Sequence, residues 1–155
     1  MGHTFLLEPG RWVIQGSWLE RNSPPIPLKG LILVVWNRDS WFSMATKLIF
    51  PNSDRPEISF QYKGRLHDGE SQYNFSLRHN LLGQVEGEGW IGRDTIVQRY
   101  LALGDSSADL RNRQRRSGFE TLHQLNDNHY YLTSGILVGH FLDSTMEANL
   151  QRQPQ

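Results

Sequence analysis

The chain contains no cysteine. A disulfide framework and a thiolate-ligated metal centre are therefore excluded, and the composition suits a reducing compartment. It has no surplus of either charge: sixteen Lys and Arg residues balance sixteen Asp and Glu. Bulk affinity for nucleic acid is not expected, because binding phosphates needs a net basic surface. Long apolar runs are missing too. The longest, Leu31 to Trp36, has the length of a strand and falls far below the ~18 residues of a membrane helix. Met1 to Pro9 shows no basic stretch followed by an apolar core, so no secretory leader is expected and a cytoplasmic location is. There is no Gly-x-Ser-x-Gly elbow, no phosphate loop and no histidine pair with zinc-site spacing, which lowers the expectation of an enzyme without removing it. No repeat recurs at a fixed period.

What the chain does have is a rhythm. From Gly10 to Arg152 apolar and polar residues alternate in short stretches separated by turn residues. Trp12, Ile14, Gly16 and Trp18 share one parity; Arg11, Val13, Gln15 and Ser17 share the other. A period of two marks strands with one buried face. The stretches run from Gly10 to Glu20, Gly30 to Trp36, Ser40 to Phe50, Glu57 to Leu66 and Gln72 to His79. They continue from Leu81 to Trp90, Thr95 to Leu101, Phe119 to Leu125, His129 to Val138 and His140 to Arg152. Between them lie Asn37-Arg38-Asp39, Pro51 to Pro56, Asp68-Gly69, Gly92-Arg93-Asp94 and Asn126-Asp127-Asn128, all turn formers. Pro24, Pro25 and Pro27 cannot donate to a ladder, so Asn22 to Pro27 reads as a loop. Gly104 to Ser117 breaks the rhythm and is the one segment with room for a helical turn or two.

Ten antiparallel strands joined by short connections predict an all-β, up-and-down closed barrel rather than a sandwich, whose crossing connections need longer loops. With an even strand number the first and last strands run antiparallel and can pair, leaving no free edge. The expected organisation is one barrel domain over residues 10–152, an N-terminal segment 1–9 capping it, and a frayed tail at 153–155. Trp12 and Arg152 share the inward parity of the first and last strands and fall at the same barrel end. The spacing predicts a guanidinium-over-indole contact between them, a structural rather than a ligand-binding pair.

Gly10-Arg11-Trp12 at the start of the first strand with an arginine at the end of the last resembles the calycin superfamily. That group comprises the lipocalins, fatty-acid-binding proteins, avidins and related small barrels. A count of ten strands is closer to the fatty-acid-binding or nitrobindin-like members than to the eight-stranded lipocalins. The resemblance implies a barrel that holds a small apolar or amphipathic molecule: a lipid, a tetrapyrrole or an isoprenoid.

A ten-stranded barrel encloses more room than an eight-stranded one, and Trp18, Phe42, Met44, Phe60, Tyr62, Tyr73, Phe75 and Met146 are placed to line it. Pockets of this kind are apolar and aromatic with a few polar anchors. His79, His123 and His140 share parity with the apolar faces of their strands, and His123 is taken as a cavity residue. Nitrobindin-like resemblance implies haem, with His140 as the iron ligand; no other metal site is expected. His3, His67 and His129 lie in the N-terminus or at turns and read as solvent-facing. Arg99 shares parity with Val97 and Leu101, and the other parity, Ile96 and Tyr100, is equally apolar, so either face suits the interior; an inward Arg99 would anchor an acid head group and needs a partner, for which Glu120 and Tyr62 or Tyr131 are candidates. Arg111, Arg113, Arg115 and Arg116 form a cluster able to grip a carboxylate or phosphate at the mouth. The expected function is a binding barrel, monomeric or homodimeric, for one small hydrophobic molecule. The rival readings are a barrel enzyme of the isomerase, cyclase or bilin-lyase kind, and a haem protein.

Overall fold

The alternation resolves into ten strands in the computed structural model of the protein, which describes residues 2–103 and 115–154. They are β1 (Gly10–Glu20), β2 (Ile26–Trp36), β3 (Trp41–Ile49), β4 (Ile58–Arg65), β5 (Gln72–His79), β6 (Gly83–Ile91), β7 (Thr95–Ala102), β8 (Arg116–Asn126), β9 (His129–Val138) and β10 (Phe141–Arg152). Every strand pairs antiparallel with its chain neighbours, and β1 also pairs with β10, so the sheet closes on itself as the expected all-β barrel. No helix occurs among the described residues, and none is long and apolar enough to cross a membrane. The segment with room for a helical turn lies mostly in 104–114, outside the described residues, while Arg116 and Ser117 belong to β8.

The closing seam runs in register from Trp12 opposite Arg152 to Glu20 opposite Ser144. At its centre Gly16 faces Ala148, and a Cβ on Gly16 would stand 2.0 Å from the Glu147 carbonyl oxygen. Only a residue without a side chain lets the two backbones come this close. One proline expected in a loop is in a strand. Pro27 pairs with Ser17 of β1, whereas the β2–β3 ladder starts two residues later at Lys29. A residue without an N–H is tolerated where one neighbour has already ended.

Inside, one cross-strand row alternates large rings with no side chain at all: Phe42, Gly64, Phe75, Gly87, Tyr100 and Gly118 from β3 to β8. The rings lie down on the glycines. A Cβ on Gly118 would fall 2.2 Å from the Tyr100 ring, and one on Gly89 2.1 Å from Tyr73. An aromatic side chain folded over a cross-strand glycine shields the bare backbone and fixes register. It also fills the barrel, so much of the interior is close-packed core.

The two ends differ. At the end where β1 begins and β10 finishes, residues 2–9 fold across the opening, and His3, Thr4, Phe5 and Leu6 are buried. The Tyr130 hydroxyl is their hub. It accepts from the Thr4 and Phe5 backbone N–H groups at 3.1 and 3.3 Å and lies 2.7 Å from His3 Nδ1. His3 Nε2 donates to the Gly92 carbonyl at 2.8 Å, Thr4 Oγ1 to the Asp127 carbonyl, and Trp36 Nε1 to the Leu6 carbonyl. His3 is thus part of the core rather than solvent-facing as its sequence position suggests; the chain turns inward before the first strand starts. Phe5 and Tyr130 each meet Trp12 edge-to-face, and the Trp12 ring is wholly inaccessible. Arg152 closes the base: its Cζ is 5.9 Å from the Trp12 ring centroid and its Nη2 donates to Glu8 at 3.1 Å. We call this the closed end and the opposite one the open end.

Candidate functional site

At the open end the aromatic packing stops short, leaving a cavity of about 20 Å³ lined by Trp18, Phe60, Tyr62, His79, Glu120 and Met146 among others. That is room for about one water, against roughly 300–1,000 Å³ for a pocket holding a drug-sized ligand. Phe60, Ser134 and Ile136, which also line it, are only half-buried, so solvent reaches it.

The cavity is placed by register. Glu120 on β8 is the direct neighbour of Gln98 on β7 and Ser134 on β9, Ser134 faces Met146 on β10, and Met146 faces Trp18 on β1. This single row carries polar groups on one side of the barrel and apolar ones on the other. From across the lumen Tyr62 donates its hydroxyl to the Glu120 carboxyl, and Tyr73 donates to Gln98 Oε1 at 2.6 Å. The Gln98 amide nitrogen is buried without a partner among the described residues. Burial pushes the Glu120 carboxyl up to about 7, against the opposing pull of the Tyr62 hydrogen bond. Burial and the Glu120 charge hold the hydroxyls of Tyr62, Tyr73 and Tyr100 above the usual phenol range.

His79 stands on the cavity wall, stacked on Phe60 with ring centroids 5.3 Å apart. Its Nδ1 accepts the backbone N–H groups of Leu81 and Leu82 at 3.1 and 3.2 Å, so the ring proton is on Nε2. Burial lowers its pKa to about 4; the ring is neutral and a donor. At the rim, Arg55 from the β3–β4 connection pairs with Glu20 and lies 5.1 Å from the centroids of both Trp18 and Phe50. Trp18 Nε1 donates to the same Glu20 at 3.1 Å.

Of the residues expected to line a cavity, Trp18, Phe60, Tyr62 and Met146 border it. Phe42, Met44, Tyr73 and Phe75 are buried on the inner face but belong to the packed core. Three expectations are corrected. Arg99 points outward, its side chain 79% exposed and paired with Glu88 at 3.1 Å. His123 is exposed on the outer face of β8. The parity of both strands is misleading, because the inner face of this wall carries the polar Gln98 and Glu120 while Val97, Leu101 and Phe119 sit outside. His140 is exposed in the β9–β10 turn after Gly139. A bulge between Leu142 and Ser144 shifts β10 by one residue, so parity counted back from Met146 fails there. Tyr131, weighed as a partner for Arg99, donates instead to Glu147 on the outside at 2.9 Å. Arg115 and Arg116 are exposed; Arg111 and Arg113 lie outside the described residues. Gln98 and Ser134 escaped sequence reading altogether, and Tyr100 was read only as part of an apolar face. The signal available was Glu120 in a strand whose flanking Gly118 and Leu122 share its parity.

The described residues do not fit haem as the sequence suggested it. His140 is on the surface, and the one interior histidine near the cavity has its Nδ1 committed to backbone amides in a space sized for water. Among the described residues no cluster of three metal-ligating side chains occurs.

No protein-family model and no curated protein matches the chain. Solved structures do. The fold is similar to that in the crystal structure of Rv2717c from M. tuberculosis, with a TM-score of 0.68 and 14% identity over 94% of this chain and 92% of that one. It is also similar to the S-type phycobiliprotein lyase CPES from Guillardia theta, with a TM-score of 0.64 and 12% identity over 96% and 89%. A third similar structure is EF1p2_mFAP2b bound to DFHBI, with a TM-score of 0.50 and 10% identity over 97% and 98%. At these identities the likeness is one of fold: a closed β-barrel.

Proposed function

We propose that this chain is a calycin-type barrel that binds one small apolar or amphipathic molecule at its open end. The observation that carries the reading is the asymmetry of the interior. One end is packed with rings and sealed by residues 2–9, whereas the other keeps a solvent-reaching cavity with an apolar wall and buried polar groups. A core built only for stability would leave no such row of Glu120, Ser134 and Gln98. The similar fold of a protein bound to DFHBI supports the use of such barrels for compact ligands. A whole tetrapyrrole would require the rings over Gly87, Gly89 and Gly118 to leave their places, so the reading favours a smaller guest or the end of a longer one.

Native mass spectrometry of the protein purified from its own host tests this, together with thermal melts against a panel of lipids and small amphiphiles. The expected result is a bound mass or a melting temperature that rises with ligand concentration. Bare polypeptide with no melting shift across the panel would overturn it.

One observation favours a second reading. A buried carboxyl near neutral pKa, hydrogen-bonded by a tyrosine, is the equipment of general acid–base chemistry. Turnover of a bound molecule that disappears in Glu120→Gln, with binding kept, would make the barrel an enzyme.

A further inference from the structure

We propose that the open-end cavity is an ammonium site: it takes the protonated amino group of an amphipathic amine, with Glu120 as counter-ion and the aromatic wall holding the apolar remainder. This rests on the binding reading above and specifies its ligand. The first ground is charge. Glu120 is buried, its hydrogen bond comes from Tyr62, and among the described residues no Lys, Arg or His forms an ion pair with it. The titratable groups facing it are Tyr62 from β4, Tyr73 and His79 from β5, and Tyr100 from β7, none of them a cation. A buried carboxylate calls for a positive partner or must keep its proton.

The second ground is size and donor count. The cavity holds a group the size of a water, which suits an ammonium head and excludes a ring or a carboxylate. An ammonium has three N–H donors and accepts nothing. Residues whose side-chain oxygens can accept, Glu120, Ser134 and Tyr100, line the cavity. Trp18, Phe60 and Tyr62 add aromatic rings to the wall, and aromatic rings can attract a cation. The third ground is the exit. Ile136 and Phe60, both half-buried, lead towards solvent and, with Met146, give an alkyl or aryl tail its contact. An anionic head finds no equivalent, because Arg55 at the rim is already paired with Glu20 and stacked on Trp18.

Calorimetric titration of the full chain at pH 8 with octylammonium, 1-octanol and octanoate decides the matter. The expected result is octylammonium binding at least tenfold tighter than octanol, with octanoate not detected. Glu120→Gln should remove that preference. On the unaltered protein the preference should shrink from pH 8 to pH 5.5, as the Glu120 carboxylate takes up its proton while the amine stays charged. Octanol or octanoate binding as tightly as the amine, or a preference that survives in Glu120→Gln or at pH 5.5, overturns the ammonium site and leaves the binding barrel standing. Absence of binding by all three overturns the site, and with a bare native mass spectrum the wider reading as well.

Discussion

The two ends of this barrel are built from the same alternating strands and bury different polar groups. At the closed end Tyr130 is fully buried, yet its hydroxyl meets two backbone N–H groups and His3. The residues around it form a dry aromatic cluster. At the open end the buried polar atoms are only partly answered: Glu120 has Tyr62, and the Gln98 nitrogen has no partner among the described residues. Unmade hydrogen bonds cost stability, and each end carries one, since Trp12 Nε1 at the closed end is also buried without a partner among the described residues; what sets the open end apart is its buried carboxyl. The contrast separates a region selected for holding the fold from one kept ready for something else.

The contrast breaks most visibly by truncating a tryptophan at each end. Trp12→Ala leaves a sealed void beneath Phe5 and Tyr130 and should cost about 3–5 kcal/mol. Trp18→Ala opens onto a cavity that solvent already reaches, so its cost should be clearly smaller. Urea unfolding of both variants measures the difference; equal losses would erase the distinction between the ends.

Next comes pH. Glu120 holds its proton up to about 7 in the folded state, against an ordinary value of 4.5. The unfolded chain releases that proton earlier, so this group lowers stability as pH rises from 4.5 to 7. His79 refuses a proton down to about 4, against an ordinary 6.5, so it lowers stability as pH falls through that window. The two slopes oppose and nearly cancel where they overlap. Glu120→Gln should therefore raise stability at pH 8 by roughly 3 kcal/mol and change little at pH 4. Thermal melts at the two pH values check this; a gain at pH 4 equal to that at pH 8 would show that burial of Glu120 is not the cause.

Smaller effects belong to the closed end. Tyr130→Phe removes the hub while keeping the ring, and should cost about 1–3 kcal/mol. The loss should localise as faster amide exchange at Thr4 and Phe5. Arg152→Lys keeps the charge but loses the guanidinium over Trp12, and should cost ~0.5–1 kcal/mol. A loss as large as that of Trp12→Ala would mean that the guanidinium, and not the indole, closes the base.

Most of the architecture was legible because a period of two survives wherever a strand has one dry face. The in-register seam from Trp12 to Arg152 agrees with the parity of both strands. Legibility failed where polar residues face inward. On β7 the inward Gln98 and the outward Val97 make the two parities look alike, and on β8 the outward Phe119 outweighs the inward Glu120. The surface apolar groups have their own occupation. Phe119 and Leu142 both lie over Gly135 from opposite sides. His3 was illegible for another reason, since no periodicity precedes the first strand to show that the chain enters the core. The same residues that blurred the reading define the candidate site: an inward acid resembles a surface acid until the opposing tyrosine is seen.

The rings lying flat on glycine backbones also give the interior a voice. The Hα protons of Gly87, Gly89 and Gly118 sit within the ring currents of Phe75, Tyr73 and Tyr100, so their magnetic resonances should stand apart, far upfield of ordinary glycines. Any guest that nudges Tyr100 would move the Gly118 signal first, and its depth of entry could be followed along the row without a label.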